Sequence, residues 1–218
     1  MLIAISQRND KNRHGDYMDS LESSCINYFG KFAKLVAIPN SPDKVRSCFE
    51  MPIEGIILSG GNDISPKLYG GNMQEGMSIS QKRDETEKKL LEIAIEKKLP
   101  VLGICRGMQF INVFFKGKIK DIKGHVRTFH KIKILEFVNE LGKEANVNSY
   151  HGFGIGNEIL SSKLKAFAAA EDGVVEGIYH PSLPIAGIEW HPERKSPDEK
   201  INKKIVNAFV RKELFWRR

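Results

Sequence analysis

Short apolar runs and amphipathic stretches alternate along the first half of the chain. LIAIS, residues 2–6, is an apolar run ended by polar residues, the pattern of a buried strand. Met18, Leu21, Cys25, Tyr28 and Phe29 recur at helical spacing and predict a helix with Cys25 on its core face. KLVAIPN, residues 34–40, reads as a second strand, SPDKVRSCFE, residues 41–50, as a short helix carrying Cys48, and EGIILSGG, residues 54–61, as a third strand ending in paired glycines. Residues 62–81 are rich in Gly, Asn, Ser and Met without periodicity, which predicts a long loop, and long loops inside domains are often functional. KRDETEKKLLEIAIEKK, residues 82–98, is amphipathic, with Leu90, Ile93 and Ala94 on one face and Pro100 as its stop. VLGI, residues 101–104, is the fourth strand, and GMQFINVFFKG, residues 107–117, is apolar nearly all round, as a buried helix should be.

Four alternations of strand and helix predict an α/β domain built on a parallel sheet covered on both faces. The second half changes character. KIKILEFV, KLKAFAAAEDG, VVEGIYHP and LPIAGIEWHPE read as consecutive strands with short connections, hence as antiparallel extensions of that sheet. SPDEKINKKIVNAFVRK closes the pattern as a helix. Ser196 and Glu199 have the spacing of a capping box, Pro197 suits the first helical position, and Ile201, Ile205, Ala208 and Phe209 form the buried stripe. With no repeat or linker, residues 1–218 are expected to form one domain.

Composition narrows the function classes. The 218 residues are 41% hydrophobic and 28% charged, enough for a substantial core in a soluble domain. No apolar run has the roughly 18 residues of a membrane span, and MLIAISQRND turns polar too soon for a secretory signal, so the expected location is the cytoplasm. The three cysteines, Cys25, Cys48 and Cys105, have no motif-like spacing and read as reduced thiols, with neither a disulfide framework nor a metal site implied. The formal charge of +7 concentrates in residues 116–133, where seven Lys or Arg face one Asp. Phe129 is the only Phe, Trp or Tyr in that run, whereas a single-strand surface interleaves several stacking rings with its cations, so a nucleic-acid partner is not expected. A phosphate-bearing small molecule fits better, and ordinary solvated surface is the alternative.

The chemistry centres on Gly103-Ile104-Cys105-Arg106-Gly107. This is the G-x-nucleophile-x-G form of an elbow, a tight strand-to-helix turn that lifts the middle side chain out of the sheet. The glycines are needed because a β-carbon at either flank would collide with neighbouring backbone. The helix that follows aims its amides and positive dipole end at the sulfur, which predicts a shift towards thiolate. A structural cysteine beside turn glycines is the alternative. A nucleophile needs a base and the base an orienter, and His191 with Glu193, in IEWHPE at the end of a late strand, supplies both. The amides of Gly61, in LSGG, and of Arg106 are the expected oxyanion donors. A plain Gly-Gly turn is the alternative at Gly61.

Three motifs in order, IILSGGND, GICRGMQ and IEWHPE, are similar to those of the class I glutamine amidotransferase superfamily over essentially the whole chain. The resemblance implies a flavodoxin-like three-layer sandwich. It also implies a triad of Cys105 as nucleophile, His191 as base and acid, and Glu193 as orienter, acting on a γ-glutamyl carbonyl without a cofactor or metal. Within the superfamily, Arg106, GGNDISPKLYG, the Arg83-Asp84 pair and VNSYHG most resemble the stand-alone γ-glutamyl hydrolases of the γ-glutamyl-γ-aminobutyrate type. That likeness implies Gln109 and the backbone around Ser149 and Tyr150 as holders of the glutamyl group. Glu189 departs from the group, which commonly has Gln there. The basic run also departs from what an aminobutyrate leaving group requires. Its cations, Arg127 and Lys131 among them, suit a phosphate-bearing leaving group, and the chain is also similar to the γ-glutamyl-CDP-amidate hydrolases of bacterial capsule synthesis. The expected substrate is a small γ-glutamyl compound, nucleotide-linked in that case. The rival expectations are a glutaminase subunit feeding ammonia to a synthase, and a binding or redox-sensing protein on the same fold.

Overall fold

The computed structural model describes residues 1–135 and 141–213. In chain order its elements are β1 (Leu2–Ser6), β2 (Arg8–Lys11), β3 (Tyr17–Ser20), α1 (Ser23–Phe29), β4 (Lys34–Ile38), α2 (Val45–Cys48), β5 (Gly55–Leu58), α3 (Gln81–Lys97), β6 (Val101–Ile104) and α4 (Arg106–Phe114). They continue as β7 (Lys120–Asp121), β8 (Val126–Ile134), β9 (Glu144–Tyr150), β10 (Phe153–Gly156), β11 (Lys165–Ala170), β12 (Val174–Tyr179), β13 (Ile185–Ile188) and α5 (Glu199–Arg211).

The main sheet runs β4-β1-β5-β6-β13-β12-β11-β8-β9. Its first five strands are parallel and lie in the relative order 2-1-3-4-5, the flavodoxin-like winding, which has a switch point between β1 and β5. The remaining strands are antiparallel, as expected for the second half. Alternation along the central strands sends side chains to two separate cores. Ile3, Ile5, Ile57, Leu102, Ile104 and Ile188 pack with Phe29 of α1 and with Ile201, Ile205 and Phe209 of α5. Ala4, Ile56, Leu58, Val101 and Ile185 pack on the other face with Val45 of α2, Leu90 and Ala94 of α3, and Met108 and Ile111 of α4. The expected three-layer α/β sandwich is therefore present. Among the described residues, no helix is long and apolar enough to cross a membrane.

Four sequence expectations change. The helix predicted from Met18 begins only at Ser23, because Met18 lies on β3 of a β2–β3 hairpin and is half exposed. That hairpin, RNDK against YMDS, has no apolar alternation, and side-chain bonds such as Asn9 Nδ2 to Asp19 (2.8 Å) tie it together. The basic run contains β7 and most of β8. The strand expected over KIKILEFV starts earlier, at Val126, and its residues Glu136–Val138 lie outside the described residues. The last strand, β13, is antiparallel to β12 but inserts beside β6 and runs parallel to it. The capping box does not form. Asp198 precedes α5, its carboxylate accepts from the Asn146 amide (2.7 Å), and its own amide donates to Asn146 O (3.2 Å), so residues 196–198 are pinned to β9 instead of wound into the helix.

Candidate active site

The parallel neighbours β5, β6 and β13 end side by side, with Leu58 opposite Gly103 and Ile188 opposite Ile104. Cys105 is therefore one residue beyond its strand, and His191 three residues beyond the adjacent one. Cys105 has φ +50° and ψ −110°, a backbone conformation that non-glycine residues rarely adopt and that concentrates at functional sites. It is held there by two bonds: its amide donates to Ile188 O (2.8 Å) and its carbonyl accepts from the Gln109 amide (3.1 Å). Neither flanking glycine is there for a positive φ. A β-carbon at Gly103 would lie 2.6 Å from the Gly107 carbonyl carbon, and one at Gly107 would lie 2.1 Å from Leu58 O. Close approach of β5, β6 and α4 is what requires them.

The Arg106 amide, at the start of α4, favours the Cys105 thiolate, as expected at a helix start. The thiol is nevertheless pushed well up, not down. Burial contributes most and the Glu189 carboxylate next, and together they outweigh the amide. The expected shift towards thiolate is corrected accordingly: the side chain is only 8% exposed, and desolvation of a thiolate there costs more than one amide returns.

His191 and Glu193 meet as the sequence suggested, with Nδ1 2.6 Å from Glu193 Oε1. The imidazole is positioned from three further sides. Asn148 clamps its backbone, accepting from the His191 amide (2.9 Å) and donating to its carbonyl (2.7 Å). Tyr150 meets the ring edge-on at 5.8 Å, and a β-carbon at Gly60 would lie 2.8 Å from Cε1, so Gly60 leaves the ring its space. No hydrogen bond joins the Cys105 sulfur to His191 among the described residues; catalytic bonds are often long before substrate tightens them. A small pocket opens between His191, Glu193, Ser59 and Gly60, walled by Cys25, Arg8, Leu21 and Glu22. Cys25 is thus core-facing as expected, but it also borders the His191–Glu193 pair. Burial, then Glu193, pushes its thiol up.

The other predicted site residues are placed as follows. Gly61, with φ +109°, continues the turn after β5, and a β-carbon there would lie 2.6 Å from the Arg8 side chain. Gln109 Nε2 donates to Phe153 O (2.9 Å) and to Glu189 Oε1. Glu189 is fully buried, and burial pushes its carboxyl up to about 8. Ser149 Oγ donates to His125 O (2.6 Å), while the Tyr150 ring lies between His191 and the Arg194 guanidinium, 4.5 Å from its centroid. Arg127 is exposed at the irregular register between the Val126–Tyr150 and Thr128–Ser149 pairs. Lys131 lies further along β8 and ion-pairs with Glu144 (3.3 Å).

A buried charge network that sequence reasoning did not anticipate supports the elbow from below. Arg106 pairs with Asp84 (2.5 Å) and with Glu87, and Glu87 also takes Arg83 (3.0 Å) and the Ser6 hydroxyl (2.8 Å). Arg83 donates to Ser59 O (2.7 Å) and Gly60 O (2.9 Å). The first turns of α3 therefore fix both the start of α4 and the end of β5. The acidic residues of α3 were visible in the sequence, but nothing in the local pattern distinguished buried ones from solvated ones.

Comparisons with known proteins bear on the family and the fold. Residues 2–193 match the Peptidase C26 family. The chain is 34% identical over 205 residues to the γ-glutamyl-CDP-amidate hydrolase of Campylobacter jejuni, covering 90% of this chain and 92% of that one. It is 27% identical over 183 residues to the γ-glutamyl-γ-aminobutyrate hydrolase of Escherichia coli O157:H7, covering 72% and 71%. A glutamine amidotransferase structure from Thermotoga maritima superposes with a TM-score of 0.60 at 17% identity, covering 98% of this chain and 83% of that one, and so shares the fold. With its elbow, its strand order and a match over nearly nine-tenths of its length, the chain belongs to the Peptidase C26 family.

Proposed function

We propose that this protein is a cysteine-dependent hydrolase that cleaves a γ-glutamyl amide or phosphoramidate bond and releases L-glutamate. The observation that carries the reading is the strained Cys105 at the start of α4, one strand away from the paired His191 and Glu193. Cys105 gives its proton to His191 Nε2 as the sulfur attacks the γ-carbonyl, which suits a thiol that stays protonated until its base engages. The Gly61 and Arg106 amides stabilise the oxyanion. His191 then protonates the departing nitrogen, leaving a glutamyl thioester on Cys105. Water, deprotonated by His191, hydrolyses the thioester, and the sulfur recovers its proton. Glu193 keeps the imidazole in the required tautomer throughout.

For the leaving group, the reading is a nucleotide-linked phosphoramidate. Its support is the 34% relative named for that activity and the cations around the pocket. Arg8 lines the pocket, Arg194 stacks on Tyr150 beside His191, and Arg127 follows the strand pair that ends at Tyr150. Lys131 is the outermost member of this set. Gln109, Ser149 and Tyr150 are assigned to the glutamyl end. The three free cysteines suit a reducing cytoplasm.

Glutamate release from a panel of γ-glutamyl amines, glutamine and γ-glutamyl nucleotide phosphoramidates tests this. Preference for the phosphoramidates, reduced when Arg8 or Arg194 is changed to Gln, is the expected result. Equal rates on simple amines would remove the nucleotide, and activity on glutamine only with a synthase partner would favour a glutaminase subunit.

A further inference from the structure

Behind the His191–Tyr150 wall, the antiparallel half of the sheet gathers three imidazoles, two of them buried, around one carboxylate. Glu176, on β12, is fully buried. His125, just before β8, is 3% exposed, and His151, just after β9, is 4% exposed. His125 Nδ1 stands 3.4 Å from Glu176 Oε1 and His151 Nε2 stands 3.6 Å from the same oxygen. His130 Nε2 stands 3.4 Å from Glu176 Oε2. None of these five atoms has a hydrogen-bond partner.

The outer faces of the two buried rings explain what the inner ones offer. His125 Nε2 lies 2.8 Å from the Asp172 carboxylate, and His151 Nδ1 lies 2.9 Å from Phe153 O and 3.4 Å from Glu189 Oε1. A carbonyl and a carboxylate oxygen accept, so the outer nitrogens carry protons; the inner nitrogens can then offer lone pairs to a bound cation, and without one they face the Glu176 anion as N–H groups. Such outer-face partners are what orients histidines that ligate metals. The inner distances are too long for ordinary hydrogen bonds, which span about 2.7–3.2 Å. They match instead the separation of two donors sharing a tetrahedral ion, about 3.4 Å when each bond is about 2.0–2.1 Å.

We propose that His125 Nδ1, His151 Nε2 and the Glu176 carboxylate bind one divalent transition-metal ion of the zinc type. These donor atoms all lie within 4.8 Å of one another. His130 flanks the second carboxylate oxygen. Two imidazoles and a carboxylate suit zinc, and the ion neutralises a fully buried carboxylate whose nearest cationic groups are otherwise imidazoles at 3.4–3.6 Å. Its role is to tie β8, β9 and β12 together. Glu189 is held on this frame, its amide donating to Glu176 O (2.9 Å), and β9 delivers Asn148 and Tyr150 to His191. The site is independent of the proposed hydrolysis, and its test reads metal rather than turnover.

The test titrates Co2+ into untagged, chelator-treated full-length protein and follows the visible absorption of the ion, with Zn2+ as competitor. One equivalent of Co2+ with tetrahedral absorption, displaced by Zn2+ and lost in His125→Ala and Glu176→Gln, is expected. Asp172→Asn, a change at a half-exposed side chain that leaves the core intact, weakens binding about 10- to 100-fold by freeing the His125 ring. Cys105→Ser leaves it unchanged. Absence of stoichiometric binding in the wild-type protein would mean protonated histidines around Glu176 and no metal. Unchanged binding in the Asp172 and Glu176 variants, or loss in Cys105→Ser, would place the ion elsewhere; each result overturns the proposal.

Discussion

At Gly107, a single added methyl would sit 2.1 Å from the Leu58 carbonyl oxygen, which belongs to a fully buried strand and cannot retreat. Gly107→Ala is expected to destabilise the protein by the upper end of the about 1–3 kcal/mol seen on overpacking, measured by denaturant unfolding. Gly60→Ala separates catalysis from folding. Its methyl would press on His191 Cε1, so turnover should fall about 100-fold for a displacement near 1 Å while the melting temperature moves little. The protonation state of Cys105 is equally testable. Because burial raises the thiol, its alkylation by iodoacetamide should keep accelerating above pH 9, whereas a plateau below neutral pH would mean a preformed thiolate. Cys105, His191 and Glu193 were legible because each residue type sits in a local pattern that serves one chemistry. Asn148 was not, since its role is to hold a backbone 43 positions away. The same is true of the His125–His151–Glu176 cluster, whose members come from just before β8, just after β9 and the middle of β12.

Among the elements, α3 departs most from a surface helix. Arg83, Asp84 and Glu87 are buried in its first turns, with Leu90, Ile93 and Ala94 following on the apolar face. Removing Glu87 leaves Arg83 without a carboxylate in a dry site and Arg106 with Asp84 alone, so Glu87→Ala should cost about 3–5 kcal/mol in thermal or denaturant unfolding and loosen the Arg106 end of the elbow. Asn148→Ala should lower kcat more than it raises KM, because it frees the segment carrying the base without touching the pocket walls. The parallel strands were readable as apolar runs, since both faces are covered and nothing interrupts them. The β2–β3 hairpin was not readable, because side-chain hydrogen bonds rather than apolar alternation hold it. The Ser196–Glu199 spacing misled for a related reason: Asp198 takes its bonds from β9, and the local capping signal loses to that tertiary pairing.

For the molecule as a whole, alternating strands and helices imply a covered parallel sheet, and that sheet places the ends of β5, β6 and β13 at one edge. What the order of elements did not reveal was where the last strand would go. Only its insertion between β6 and β12 brings the strand that leads to His191 next to the strand that leads to Cys105. The two residues follow strands that end on one edge because those strands run in the same direction, and the proposed chemistry rests on that adjacency. The most direct test is intact-mass analysis of protein quenched during turnover of a γ-glutamyl substrate. A glutamyl adduct on Cys105, absent together with glutamate release in Cys105→Ala, is the predicted result; glutamate release by Cys105→Ala at the wild-type rate would contradict it.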